Sequence, residues 1–309
     1  MTTPNGHLVL VGTTASGKSA LAMQLARLRS GIELVSMDSM QLYRGMDIGT
    51  ATPGEADRSE VPHHLVDVVD PAEEFSVSAF QETCTEVLSG ISGRGARAVL
   101  VGGTGLHVRA VVDDLEIPGR FDDVRETLEA EPDVSVLYAK LKELDPPAAD
   151  RMEPTNRRRV VRALEVCLGA GRPFSSFGPG LDSYPPTPFT QVGIRLPRSV
   201  VDQRIADRYE AQLSAGFVDE VATLSGRPGG LSRTARQALG YRQVIEHLEG
   251  RCSLEQAIED AVVATRRFAR RQERWFRRDQ RITWLDADED PLDVLDQLVE
   301  RFDGCTGGR

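Results

Sequence analysis

Short, almost wholly apolar runs recur along the first third of the chain, each closed by a polar or glycine-rich turn. Leu8-Val9-Leu10-Val11 is the first, and it reads as a parallel strand covered on both faces. Residues 20–28 follow with Leu21, Leu25 and Leu28 on one helical face. Ile32-Glu33-Leu34-Val35-Ser36 predicts a second strand, expected beside the first, and residues 75–89 predict a helix. Ala98-Val99-Leu100-Val101 is a third strand, running into Gly102-Gly103-Thr104-Gly105-Leu106-His107. Alternation of this kind predicts an α/β fold with a parallel sheet flanked by helices.

From Pro118 the pattern changes. Residues 121–168 carry helical spacing and no convincing strand, with breaks at Pro146-Pro147 and Pro154. We therefore divide the chain into a core of 1–118 and 190–309 and a helical insertion of 119–189. A Gly/Pro-rich return at 178–188 leads to Val192-Gly193-Ile194-Arg195-Leu196, which should rejoin the sheet. Helices are predicted at 201–224, 234–249 and 254–278. In the last, Phe268 and Trp275 read as the packing stripe. Trp284-Leu285 closes an edge strand, residues 286–290 form a solvated acidic loop, and 304–309 should fray. The stretch 43–64, rich in glycine, proline and polar residues, reads as a long functional loop. Its adjacent His63 and His64 lack an evident carboxylate partner and read as structural rather than as ligands.

Composition narrows the class. A chain of 309 residues can bury a sizeable core, either as two domains or as one with an insertion. Its four cysteines lie far apart, which argues against zinc and disulfides and suits the reducing cytoplasm. No apolar run is long enough to span a bilayer, and residues 1–7 contain no signal peptide. The net charge of −10 argues against a uniform nucleic-acid coat but does not exclude a local basic face. Arg158, Arg159 and Arg162 fall on adjacent helical turns of the insertion. The last long helix bunches Arg266, Arg270, Arg274 and Arg277 on one side, with Arg267, Arg271 and Arg278 on the other. Such bunching in an acidic chain points to anion binding rather than to a merely solvated face.

The chemistry centres on Gly12-Thr13-Thr14-Ala15-Ser16-Gly17-Lys18-Ser19, a phosphate-loop pattern between strand and helix. Its backbone N–H groups can cradle a di- or triphosphate, Lys18 adds charge, and the Ser19 hydroxyl can hold Mg2+. Asp38, at the carboxyl end of the second strand, should face this loop; the plain alternative is a cap or turn residue. The Gly102–Gly105 turn, carrying Thr104, aims at the same crevice. A small-molecule or nucleotide kinase would use the same loop with ATP. A GTP-hydrolysing switch is disfavoured, because no Asn-Lys-x-Asp motif is present.

Taken together, several blocks resemble the bacterial tRNA dimethylallyltransferase family. They are residues 12–19, Asp38-Ser39-Met40-Gln41-Leu42-Tyr43-Arg44-Gly45-Met46-Asp47-Ile48-Gly49-Thr50-Ala51, Val61-Pro62-His63-His64 and Gly102-Gly103-Thr104-Gly105-Leu106. Arg162-Ala163-Leu164-Glu165, Gln237-Ala238-Leu239-Gly240-Tyr241 and Thr265-Arg266-Arg267-Phe268-Ala269-Arg270-Arg271-Gln272 complete the order. His107 and Thr52 stand where the family often has Tyr and Lys. The resemblance implies a P-loop NTPase-like fold that binds dimethylallyl diphosphate and prenylates the exocyclic amine of the adenosine 3′ to the anticodon. A prenyltransferase acting on free adenine nucleotides is the near alternative; it would not need the insertion. The resemblance further implies that the loop, Mg2+ at Ser19, Arg266 and Arg270 hold the diphosphate, and that Thr104 donates to the leaving oxygen. Asp38 would accept the amine proton. Ser39, Met40 and Gln41 would contact a base flipped out of the anticodon stem-loop, and Arg158, Arg159 and Arg162 would grip its phosphates. A monomer without an obligate protein partner or membrane association is expected.

Overall fold

The computed structural model describes residues 6–305. Most of the segment read for a signal peptide (1–5) and most of the expected frayed end (306–309) lie outside them. The chain forms two compact units, one up to Val112 and from Pro186 onward, the other Asp113–Pro185.

In the first unit, β1 (Leu8–Gly12) leads to α1 (Lys18–Leu28), β2 (Ile32–Ser36), a short α2 (Glu55–Glu60) and β3 (His63–His64). Next come α3 (Val77–Gly93), β4 (Arg97–Gly102) and α4 (Gly105–Val112). The six-stranded sheet has the order β3-β2-β4-β1-β5-β6, with β5 at Thr190–Arg195 and β6 at Thr283–Asp286, and every pairing is parallel. The expectation that β2 adjoins β1 fails, because β4 lies between them. The chemistry of the strands explains the order. Ala98, Val99 and Leu100 of β4 are fully buried, as a central strand requires, whereas β2 carries Glu33. That carboxylate needs partners, and near the edge it finds His64 Nε2 at 2.6 Å and Arg94 at 2.8 Å. His64 thus has the carboxylate partner that the sequence did not reveal, and the histidine pair belongs to the edge strand.

The helices that follow β5 are more broken than their periodicity predicts. Residues 201–224 resolve into α9 (Arg198–Ser214) and α10 (Phe217–Gly226), and 234–249 into α11 (Arg233–Arg236) and α12 (Tyr241–Leu248). Each break holds a glycine at positive φ, Gly216 at 94° and Gly240 at 87°, which redirects the chain immediately before the next helix begins. α13 (Leu254–Phe276) is unbroken. It buries Ala261, Thr265, Ala269, Gln272 and Phe276 rather than the predicted Phe268 and Trp275, which are half-buried at its flanks. Small residues let this helix approach the sheet closely. Leu28, predicted to be inward, ends α1 at 51% exposure. α14 (Leu295–Asp303) closes the unit.

The second unit comprises α5 (Asp122–Glu129), α6 (Val134–Leu144), α7 (Pro146–Asp150) and α8 (Arg157–Ala170) around its own core, which includes Leu128, Leu137, Leu141, Val160, Val161 and Leu164. Asp145 caps α7, where Pro146 occupies the first turn, and Asn156 caps α8.

Candidate active site

The phosphate loop spans the gap between Gly12 and Lys18. Gly17, at φ 82°, enters α1 with no side-chain cap, so the first amides of the helix remain available to an anion. Ser16 is buried, and its hydroxyl donates to Thr13 O at 2.8 Å. The Lys18 ammonium donates to the same carbonyl at 2.5 Å. Loss of solvent lowers its pKa to about 8; Asp38 opposes the shift and Arg208 adds to it. Ser19 lies exposed one position into the helix.

The facing wall comes from β2 and β4. Met37 N donates to Val101 O at 2.8 Å, and a Cβ on Gly102 would lie 2.6 Å from Met37. The two strand ends are therefore pressed together, and Asp38 emerges just beyond them. Its Oδ1 accepts Met40 N–H at 2.9 Å, so Asp38 opens a turn and caps no helix. Asp38 follows β2, Thr104 follows β4 and Lys18 follows β1, and these three strands are adjacent and parallel, so all three residues lie at one edge of the sheet. Ser39 N–H donates to Thr104 Oγ1 at 3.4 Å, and Thr104 immediately precedes α4. Asp38, Ser39, Thr104 and Lys18 thus share the crevice at the carboxyl ends of the strands. Gln41 does not reach it freely: its Oε1 accepts Ser36 Oγ at 2.7 Å, and its Nε2 donates to Thr50 O and Ala51 O at 3.4 and 3.2 Å. Met40 packs half-buried against the core.

Two residues that sequence reasoning missed complete the surround. Arg208 of α9 donates to Thr14 Oγ1 at 3.3 Å and to Gly49 O at 3.0 Å. Gln272 of α13 accepts Thr14 N–H at 2.8 Å and donates to Gly103 O at 2.8 Å. Arg208 gave no signal because α9 alternates acidic and basic residues, so no bunching marks it. Gln272 lay inside a recognised block but is neutral. The loop that Arg208 touches is itself held. Glu220 accepts the N–H groups of Asp47, Ile48 and Gly49 at 3.0, 2.7 and 3.2 Å, together with the Tyr241 hydroxyl at 2.5 Å. Burial foremost, and then the Glu220 charge, drive the Tyr241 phenol upward in pKa, so it stays a donor.

The predicted arginines divide. Arg266 points its guanidinium at Asp202 O, at 2.9 and 3.2 Å, and so bridges α13 to α9 rather than reaching the phosphate loop. Arg270 is half-buried on the turn before Gln272. In the second unit, Arg162 turns inward, donating to Pro118 O at 2.7 Å, Gly119 O at 3.0 Å and Glu165 Oε1 at 2.6 Å. Glu165 is fully buried and also accepts Phe121 N–H, so Arg162 is a structural partner. Arg158 and Arg159 stay exposed.

A parallel sheet whose first turn is a phosphate loop, with a helical unit inserted after α4, defines the class: a phosphate-loop α/β protein. The IPP transferase family model matches residues 41–279. The chain belongs to this family. The tRNA dimethylallyltransferase of Kineococcus radiotolerans is 47% identical over 309 residues, covering 96% of each chain. That of Streptomyces coelicolor is 46% identical, covering 95% of this chain and 96% of its own. Among solved structures, the full-length tRNA isopentenylpyrophosphate transferase of Bacillus halodurans superposes with a TM-score of 0.70 at 35% identity, covering 97% of this chain and 98% of that one. A eukaryotic dimethylallyltransferase acting on tRNA reaches 0.76 at 26% identity, covering 92% of this chain and 74% of its own. Among the described residues no helix is long and apolar enough to cross a membrane, and the four cysteines are free.

Proposed function

We propose that this chain transfers the dimethylallyl group of dimethylallyl diphosphate to the N6 amine of the adenosine 3′-adjacent to the anticodon in tRNA, releasing diphosphate. The observation that carries the reading is the convergence of Lys18, Asp38 and Thr104 on one crevice, in a chain of this family. The RNA substrate follows the activity named for the relatives and sets the reaction in the cytoplasm.

In this reaction the N6 lone pair attacks the allylic carbon as its bond to the diphosphate oxygen breaks, and the bonding pair leaves with the diphosphate. The amides of the phosphate loop and the Lys18 ammonium hold the charge that builds there. Thr104 Oγ1 accepts from Ser39, so its own hydrogen can go to the leaving oxygen. Asp38 orients the amine and takes the proton that the new carbon–nitrogen bond displaces. Arg208 is a better partner for the loop than Arg266, which is engaged with Asp202. Ser39 is the residue of the 39–41 turn best disposed to meet the base, since the Gln41 amide is committed. Arg158 and Arg159, rather than Arg162, are the candidates to hold RNA phosphates.

Ser19 Oγ makes no hydrogen bond among the described residues, and one exposed hydroxyl beside substrate oxygens suits the sparse protein ligation that magnesium accepts. The residues therefore fit a Mg2+ ion held by Ser19 and the diphosphate. Such an ion supplies positive charge to the leaving group.

Incubation of labelled dimethylallyl diphosphate with unmodified tRNA and, in parallel, with AMP, without ATP in either, tests the proposal. Label should enter one adenosine of the RNA. Label in AMP instead would mark a free-nucleotide prenyltransferase, and turnover that needs ATP would mark a kinase; either result ends the reading.

A further inference from the structure

The side chain of Gln272 is buried, and both ends of its amide are engaged. Oε1 accepts the N–H of Thr14 within the phosphate loop at 2.8 Å, and Nε2 donates to Gly103 O at 2.8 Å. Only one orientation of the amide satisfies both, because a backbone N–H needs an acceptor and a carbonyl a donor. The space is as strict as the chemistry. A Cβ on Gly103 would lie 2.3 Å from Gln272 Nε2 and 3.0 Å from Gly12 O, so any larger residue there would push the Gln272 amide out of place. The next residue is Thr104, whose Oγ1 accepts Ser39 N–H at 3.4 Å. A continuous path of hydrogen bonds and adjoining residues thus runs from the phosphate loop through Gln272 to the Thr104 turn and on to the turn opened by Asp38.

We propose that Gln272 is a positioning residue that sets the distance between the diphosphate-holding loop and the Thr104 hydroxyl. This rests on the reading of that loop and that hydroxyl given above. The geometry also removes Thr14 N–H from the groups that bind diphosphate, since Gln272 already takes it, and Ser16 N–H is turned to Thr13 O at 3.3 Å; the amides of Ala15, Gly17 and Lys18 then carry that task. Gln272 touches no reacting atom. Its effect should fall on the chemical step rather than on RNA binding, because a donor misplaced by a fraction of an ångström still permits the ground state.

The test uses the full chain with tRNA and dimethylallyl diphosphate. Gln272→Met keeps the volume and removes both hydrogen bonds. We expect kcat to fall by about a hundredfold with KM for tRNA nearly unchanged. Gln272→Glu supplies the second readout. Its carboxylate can accept from Thr14 but opposes the Gly103 carbonyl, whereas the protonated form restores the donor. Burial beside a carbonyl raises the pKa of such a carboxyl. The rate of this variant relative to the parent should therefore climb by about tenfold as pH falls across its titration, a recovery that Gln272→Met cannot show. Parent-like kcat in Gln272→Met, or a Gln272→Glu ratio flat in pH, overturns the proposal, and the Glu variant decides if the Met variant does not fold. Lys18→Ala, run alongside, keeps the two ideas apart. A crippled Lys18→Ala beside a healthy Gln272→Met sinks the coupling alone, whereas a healthy Lys18→Ala sinks the diphosphate reading and the coupling with it.

Discussion

The backbone N–H of Ser39 meets the hydroxyl of Thr104 at 3.4 Å and ties the turn after β2 to the residue that precedes α4. Because the oxygen accepts from Ser39, its hydrogen is left for another partner. Thr104→Val keeps the shape and deletes that hydrogen, and should lower the single-turnover rate by about a hundredfold. Thr104→Ser should retain most activity. Equal rates in both variants would make the contact with Ser39 a packing feature and nothing more.

Asp38 is the sharper case. Its Oδ1 accepts Met40 N–H at 2.9 Å, and the amide oxygen of Asn can do the same. Asp38→Asn should therefore fold as the parent does and bind both substrates, yet lose about a hundredfold or more in the chemical step. Single turnover with enzyme in excess over tRNA separates this from a turn-forming role, under which the variant would be nearly silent.

Lys18 predicts a pH dependence. Its pKa lies near 8, lowered mainly by loss of solvent, so the ammonium is charged below that value and neutral above it. The charged form holds diphosphate, so kcat/KM for dimethylallyl diphosphate should decline as pH rises through about 8. Lys18→Met should be slow throughout and lack this limb. A parent profile that stays level up to the ordinary lysine value of 10.5 would contradict the assignment.

The arginines of α8 should separate by role. Arg158→Ala with Arg159→Ala should weaken tRNA binding and reduce the salt slope by about one unit for each phosphate no longer neutralised, with stability unchanged. Arg162→Ala should instead destabilise the protein by roughly 3 kcal/mol, because it strips the buried Glu165 of its closest cation. Filter binding across a salt series and urea unfolding distinguish the two. A salt slope unmoved in the double variant would return Arg158 and Arg159 to an ordinary solvated face.

Much of this architecture was legible along the chain. The apolar runs at 8–11, 32–36, 98–101 and 192–196 each lie within or overlap an observed strand, and the phosphate loop sits between β1 and α1 as its spacing required. Strand order was not legible, because a run of valine and leucine does not say which neighbour it pairs with. The interruptions that precede α10 and α12 were missed for a related reason: the apolar spacing continues past Gly216 and Gly240, whose positive φ a continuous helix does not admit.

Local chemistry, then, was the sequence's own determination: a backbone loop shaped for phosphate, a carboxylate and a hydroxyl at strand ends, and arginines in bunches. These depend on residues a few positions apart, and such spacing survives in any reading of the chain. What only the tertiary structure decided was which polar groups remain free to act. Gln41, Arg162 and Arg266 look available in sequence, yet each is held by backbone carbonyls or a carboxylate brought to it from elsewhere in the fold. Gln272 and Arg208 look unremarkable, yet they reach Thr14 from 258 and 194 positions away. A hydrogen bond is satisfied by whatever partner packing delivers, and packing is a property of the folded chain.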